Sequence, residues 1–255
     1  MSLVEIFSSV QGEGLYTGAS TLFIRFGECD LRCRWCDTPH SWRRTAECRV
    51  QGVRGGSGFH ALANPVAVAA VVAAADALEV GSHRFVSLTG GEPLLQPEAV
   101  SELAQILRDR GPRIHLETHG LLTDALARVV RLVDVVAMDW KLASDVARLP
   151  GAREGAAGDF HAEHEAFLRV AQAASEVMVK VVLTPASEDA EIDEMTRRIA
   201  RVDPEIPVIV QPVTPQGPVR EGPSARRVLE IAARLERTLR NVRVIPQTHK
   251  LYSAP

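Results

Sequence analysis

A repeated pairing limits the fold of this chain more than any other feature: a short apolar run without polar alternation, followed by a helix-forming stretch. RFVSLT (84–89) precedes a helix opening near Pro97, IHLET precedes ALARVV, and DVVAMD precedes HEAFLRVAQAA. VMVKVVL, PVIVQPV and the last run, VRVIPQ, continue the series, with EIDEMTRRIA and SARRVLEIAARLERTL between them. Strands that are apolar throughout have both faces covered, and intervening helices supply that cover, so the units are parallel and wind right-handed. The strand tally falls short of eight. It predicts an α/β fold of one domain over 1–255, an incomplete parallel β/α barrel, with its chemistry at the carboxyl ends of the strands.

Upstream of the series, LVEIF (3–7) and TLFIRF (21–26) read as strands joined by a turn containing Gln11-Gly12-Glu13-Gly14. The second delivers CDLRCRWC (29–36), three cysteines spaced C-x-x-x-C-x-x-C. Interleaved with Arg32, Arg34 and Asp37, they do not read as core packing. Three thiolates on one loop fit a four-iron cluster with one iron left open to another ligand. A structural zinc site completed by His40 or Cys48 is the rival reading, and Cys48 otherwise reads as a free thiol. Residues 42–62 carry arginines and glycines without sustained periodicity, which predicts an irregular insertion. Asn64-Pro65 reads as a helix cap with proline in the first turn.

The length of 255 residues and a 46% hydrophobic composition allow a full core, and no apolar run is long enough to span a bilayer. A formal charge of −3 gives no basic surface for nucleic acid or membrane, so a small-molecule partner is expected. No secretory leader is expected, and clustered cysteines suit a reducing, cytoplasmic setting.

CDLRCRWC resembles the signature of the radical S-adenosylmethionine enzymes, and Thr89-Gly90-Gly91-Glu92-Pro93 after a strand resembles the turn that holds the cofactor's amino group there. EIFSSVQGEG, Arg25, Cys36-Asp37-Thr38 and Gln247-Thr248-His249-Lys250 are similar to the family of 7-carboxy-7-deazaguanine synthases. The similarity runs from residue 4 to the C-terminus and is weakest at 42–62 and 143–158. It implies ring contraction of 6-carboxy-5,6,7,8-tetrahydropterin with loss of ammonia, a carbon–nitrogen lyase reaction in queuosine-precursor biosynthesis. The cofactor radical would do the chemistry, so no side chain is assigned a catalytic role.

By position the resemblance implies that Cys29, Cys33 and Cys36 hold a 4Fe–4S cluster and that Thr38 binds Mg2+. Val10, Gln11, Gly12, Arg25, Thr89 and Pro255 would contact the pterin, with a tail at 248–255 closing the site. Trp35, Gly91, the turn Asp139-Trp140-Lys141 and the turn Gln211, Pro212, Val213, Thr214 would hold S-adenosylmethionine. An electron donor such as flavodoxin and a homodimer are also expected. The alternatives are an activase that installs a glycyl radical on a partner protein, for which the pterin residues have no explanation, and a non-enzymatic zinc or iron–sulfur module.

Overall fold

The computed structural model describes residues 1–149 and 159–252. In chain order the strands and helices are β1 (Leu3–Val10), β2 (Ser20–Phe26), β3 (Leu31–Cys33), β4 (Glu47–Gln51), β5 (Phe59–Ala63), α1 (Val68–Ala77), β6 (Phe85–Gly90) and α2 (Pro97–Arg108). There follow β7 (Arg113–Thr118), α3 (Thr123–Val129), β8 (Val135–Asp139), β9 (Val146–Arg148), α4 (His161–Ala171), β10 (Glu176–Leu183), α5 (Asp189–Val202), β11 (Val208–Pro212), α6 (Ala225–Leu235) and β12 (Val242–Val244).

Ten strands make one sheet in the order β12-β11-β10-β8-β7-β6-β2-β1-β4-β5. From β2 to β12 every neighbouring pair is parallel, and a helix lies between each pair in the chain, from α1 to α6. The end strands β12 and β5 are not paired with each other, so the barrel is incomplete. β1 closes against β2 in antiparallel register, Ile6 opposite Ile24, which is the geometry that the QGEG turn permits. No helix among the described residues is long and apolar enough to cross a membrane.

The strands carry two apolar or polar rows, because successive side chains leave a strand on opposite faces. On β10, Val179, Val181 and Leu183 pack into the main core under the helices, whereas Met178, Lys180 and Val182 face an interior cavity. On β2, Leu22, Ile24 and Phe26 are core and Phe23 and Arg25 line the cavity. The helices meet the core with 3.6-residue spacing. Ile192, Met195 and Ile199 are the buried face of α5, and Val228, Ile231 and Leu235 that of α6, whose first turn is capped by Ser224 Oγ accepting from Arg227 N at 3.2 Å.

Two local expectations need correction. Residues 42–62 are not irregular: β4 pairs parallel with β1, and β5 pairs antiparallel with β4, Cys48 opposite Leu62. Arginines belong on this sheet edge because its outer face is wet. Arg49, for example, lies 4.5 Å from the Phe59 ring centroid, while Cys48 and Val50 turn into the core. Asn64 is not a helix cap. Its side chain bonds both main-chain groups of Leu3, accepting from N at 3.1 Å and donating to O at 2.7 Å, and α1 starts later, at Val68.

Candidate active site

The cavity holds about 380 Å³ and sits at the carboxyl ends of the parallel strands. The cysteine loop follows β2, and Cys29, Cys33 and Cys36 all reach its wall together with Trp35 and Thr38. A small two-stranded sheet pins this loop: Leu31 to Cys33 run antiparallel to Val146 to Arg148. Burial pushes the Cys29 thiol up to about 12 and the Cys33 thiol up to about 11. In iron-bound form these thiols would be thiolates, whose charge the metal offsets.

The Gly-Gly-Glu-Pro turn lies against the same loop. Gly91 N donates to Phe26 O at 2.9 Å and Glu92 N to Glu28 O at 2.8 Å. A Cβ on Gly91 would sit 2.0 Å from Glu28 O, so the close approach of two main chains requires glycine. Glu92, fully buried, accepts from Leu94 N, Thr118 Oγ1 and His119 N at 2.8 to 3.0 Å. His119 Nε2 lies 2.8 Å from Asp30 Oδ1. Burial works against a charge on His119, but Glu92 and Asp30 outweigh it and its pKa is raised.

Of the residues expected at the pterin, Val10, Gln11, Gly12, Arg25 and Thr89 line the cavity, and Pro255 lies outside the described residues. Arg25 uses Nε on Glu5 Oε1 at 2.8 Å, and its terminal nitrogens have no protein partner among the described residues. Gln11 Nε2, Ser87 Oγ and Thr89 Oγ1 all donate to Glu117, at 2.6 to 3.0 Å. Burial opposes ionisation of Glu117, yet His115 and Ser87 beside it, with the Lys180 charge, hold its pKa well below the usual carboxylate range.

Of the residues expected at S-adenosylmethionine, Trp35, Gly91, Asp139, Lys141, Gln211, Val213 and Thr214 line the cavity, and Pro212 and Trp140 do not. The Trp140 indole turns into the core, where its N–H donates to His161 Nδ1 at 3.1 Å and the ring lies 4.8 Å from that of His164. Alternation past the end of β8 causes this, since it sends Asp139 and Lys141 inward and Trp140 outward. Among the described residues, Trp35 Nε1 and Gln211 Oε1 are buried without a hydrogen-bond partner. An unpaired donor and an unpaired acceptor in one cavity wall fit a polar ligand such as this cofactor.

Sequence reasoning assigned Asp139 and Lys141 to S-adenosylmethionine and gave Lys180 no role. Lys180 pairs with Glu13 and lies 3.1 Å from Asp139 Oδ1, and Lys141 lies 2.8 Å from Asp139 Oδ2 and 4.6 Å from the Trp35 ring centroid. The signal was the end of β8 for Asp139 and Lys141 and, for Lys180, a lone charge within the apolar run of β10. The tail turns over this chain of charges: Gln247 Nε2 donates to Glu13 Oε1 and Asp37 Oδ2, and Thr248 N to Gly12 O at 2.9 Å. Among the described residues, Glu13, Asp37 and His249 are the one set of three ligand atoms mutually within 4.8 Å. The three cysteine sulfurs are not such a set.

Comparison with known proteins gives concordant likenesses. Residues 23–199 match the Radical SAM superfamily. The chain is 36% identical over 251 residues to the 7-carboxy-7-deazaguanine synthase of Geobacter sulfurreducens, covering 97% of this chain and 95% of that protein. It is 34% identical over 254 residues to the protein of the same name from Methanopyrus kandleri, covering 98% and 93%. In fold it is similar to the crystal structure of QueE from Escherichia coli, with a TM-score of 0.60 at 21% identity, covering 97% of this chain and 93% of that one.

Proposed function

We infer the chemistry of this cavity from one premise: the chain belongs to the Radical SAM superfamily and, within it, to the 7-carboxy-7-deazaguanine synthase family. As a radical S-adenosylmethionine enzyme of that family, it takes a 4Fe–4S cluster and S-adenosylmethionine as cofactors and a small molecule as substrate. The reaction we assign is the contraction of 6-carboxy-5,6,7,8-tetrahydropterin to 7-carboxy-7-deazaguanine, with loss of ammonia, a carbon–nitrogen lyase step toward queuosine. The observation that carries it is the convergence on one cavity of the three-cysteine loop, an arginine with free terminal nitrogens and a carboxylate held ionised.

Cys29, Cys33 and Cys36 would hold the cluster, which would supply the reducing electron for the cofactor's radical chemistry. The chain's residues then orient and exclude water. Arg25 presents a planar fork suited to the pterin carboxylate. Glu117 is an acceptor-only group suited to the amidine-like N–H edge of an aminopyrimidinone. Phe7, Phe23, Met178 and Val182 give the cavity dry walls. The main chain at Gly91, with Trp35, Asp139, Lys141, Gln211, Val213 and Thr214, would hold S-adenosylmethionine, whereas Pro212 faces away from the cavity. From Trp140 only main-chain groups are available, since its indole faces the core.

Thr38 is the residue we assign to Mg2+, next to Asp37. A second cation reading is favoured by the clustering of Glu13, Asp37 and His249. Mn2+ binding followed by electron paramagnetic resonance separates them: Thr38→Val weakens binding on the first reading and His249→Ala on the second. A flavodoxin-type electron donor, a homodimer and a cytoplasmic location complete the proposal.

The test is anaerobic reconstitution with iron and sulfide, then incubation with reductant, S-adenosylmethionine and the carboxytetrahydropterin. Carboxydeazaguanine is the expected product. Cofactor cleavage without it would point to a radical enzyme acting on another substrate, and a colourless protein that cleaves nothing would point to a zinc module.

A further inference from the structure

His119, the buried residue that follows β7, adds a side-chain bridge between two segments that also meet through the main chain, where Glu92 N donates to Glu28 O at 2.8 Å. Its Nε2 lies 2.8 Å from Asp30 Oδ1, on the residue that follows Cys29. Its main-chain N donates to Glu92 Oε2 at 2.8 Å, and its Nδ1, with no hydrogen-bond partner among the described residues, lies 3.4 Å from the same oxygen. Asp30 is held in turn by its main-chain oxygen, which accepts from Leu149 N at 2.9 Å. One imidazole therefore sits between the first cysteine of the loop and the Gly91-Glu92 turn.

We propose that His119 is a positioning residue that fixes the distance between the Cys29 end of the cluster loop and the turn that takes the amino group of S-adenosylmethionine. This rests on the assignment of those two segments above. The cofactor's amino and carboxylate groups must reach the open iron while its amino group stays on the turn, so a displacement between the two halves misplaces one contact or the other. A rigid ring set between two carboxylates resists that displacement better than a solvated loop would. Glu92 keeps its three main-chain and threonine donors without the imidazole. The bond to Asp30 is the part that His119 alone supplies to the loop.

Three substitutions separate this role from general scaffolding. Gln at 119 places an amide nitrogen near the Nε2 position and keeps the bond to Asp30; Asn places it near Nδ1 and loses that bond; Phe fills the volume without either. The reconstituted proteins are compared for iron content, for the cluster's reduction potential, and for S-adenosylmethionine affinity followed by its change of the cluster's paramagnetic resonance spectrum. No pterin is added, so failure of the substrate assignment leaves this readout intact. His119→Gln is expected within about twofold of wild type, and His119→Asn and His119→Phe about tenfold weaker, as loss of a charge-assisted hydrogen bond implies. Gln and Asn variants that bind alike, or all variants binding as wild type does, would overturn the proposal. If the Phe variant does not fold, the Gln and Asn pair decides. A wild-type cluster whose spectrum ignores S-adenosylmethionine would remove both this role and the radical reading.

Discussion

Gln247 Nε2 lies 2.7 Å from Glu13 Oε1, joining the tail to the first turn across 234 residues of chain. The same nitrogen reaches Asp37 Oδ2 at 3.2 Å, so one amide ties the tail, the QGEG turn and the end of the cysteine loop. The cavity is thereby closed by residues from both ends of the sequence.

Gln247→Ala removes these bonds while leaving the core untouched. The expected outcome is a substrate KM raised roughly fivefold, from a loss of about 1 kcal/mol. Thermal unfolding should be unchanged. Steady-state kinetics beside a melting curve checks both halves.

Arg25→Ala should raise the KM for the carboxylated pterin roughly thirtyfold, from about 2 kcal/mol for a charge-assisted bond. Arg25→Lys should recover only part of this, because an ammonium is a point charge and not a fork. Binding of a pterin that lacks the carboxylate should be little affected. Equal losses for both ligands would count against the assignment of Arg25 to the carboxylate.

Gly91→Ala places a Cβ 2.0 Å from Glu28 O and 2.8 Å from Ser41 O. Both are main-chain atoms, so no side chain can rotate away. The turn and the cysteine loop must separate, and iron bound after reconstitution is expected to fall by more than half while far-ultraviolet circular dichroism stays native. Iron and sulfide analysis measures it.

Glu165 on α4 accepts from Arg169, Arg198 and Arg201, at 2.8 to 3.0 Å, and so joins α4 to α5. Hydrogen bonds from Arg169 and Arg201 lower its pKa from 4.5 to about 2. The folded value lies below the unfolded one, so the contribution is complete above pH 4.5 and is lost as pH falls through 2. Glu165→Gln should cost about 1 kcal/mol at neutral pH, the upper end for an ion pair near the surface. The difference from wild type should shrink progressively below pH 4.5. Denaturant titrations across this range test the sign as well as the size.

The parallel core was legible because its strands are apolar on both faces, and the cysteine loop because no packing argument explains three thiols so close together. β4 and β5 were not, since an edge strand with one wet face tolerates Arg49 and His60 and loses the apolar signature. The direction of the Trp140 side chain was not legible, by the same physics that placed its neighbours: sequence reveals a turn's position but not which of three successive residues points inward. Glu117 was visible only as a strand-end charge. What makes it matter, one donor from Gln11 just past β1 and two from Ser87 and Thr89 on β6, is a property of sheet order. Asn64 illustrates a local signal overridden by tertiary contact, since its amide serves Leu3, 61 residues away.

β10 bears a row of cavity residues on one side and a row of core residues on the other, offset by a single position. A one-residue deletion within it would send Lys180 under the helices or Val179 or Val181 into the cavity, exchanging site and core along the strand on one side of the deletion. Divergence of this enzyme toward other substrates is therefore confined to point replacements at every second position. Length changes must fall in the connecting segments, where the strands' parity is not at stake.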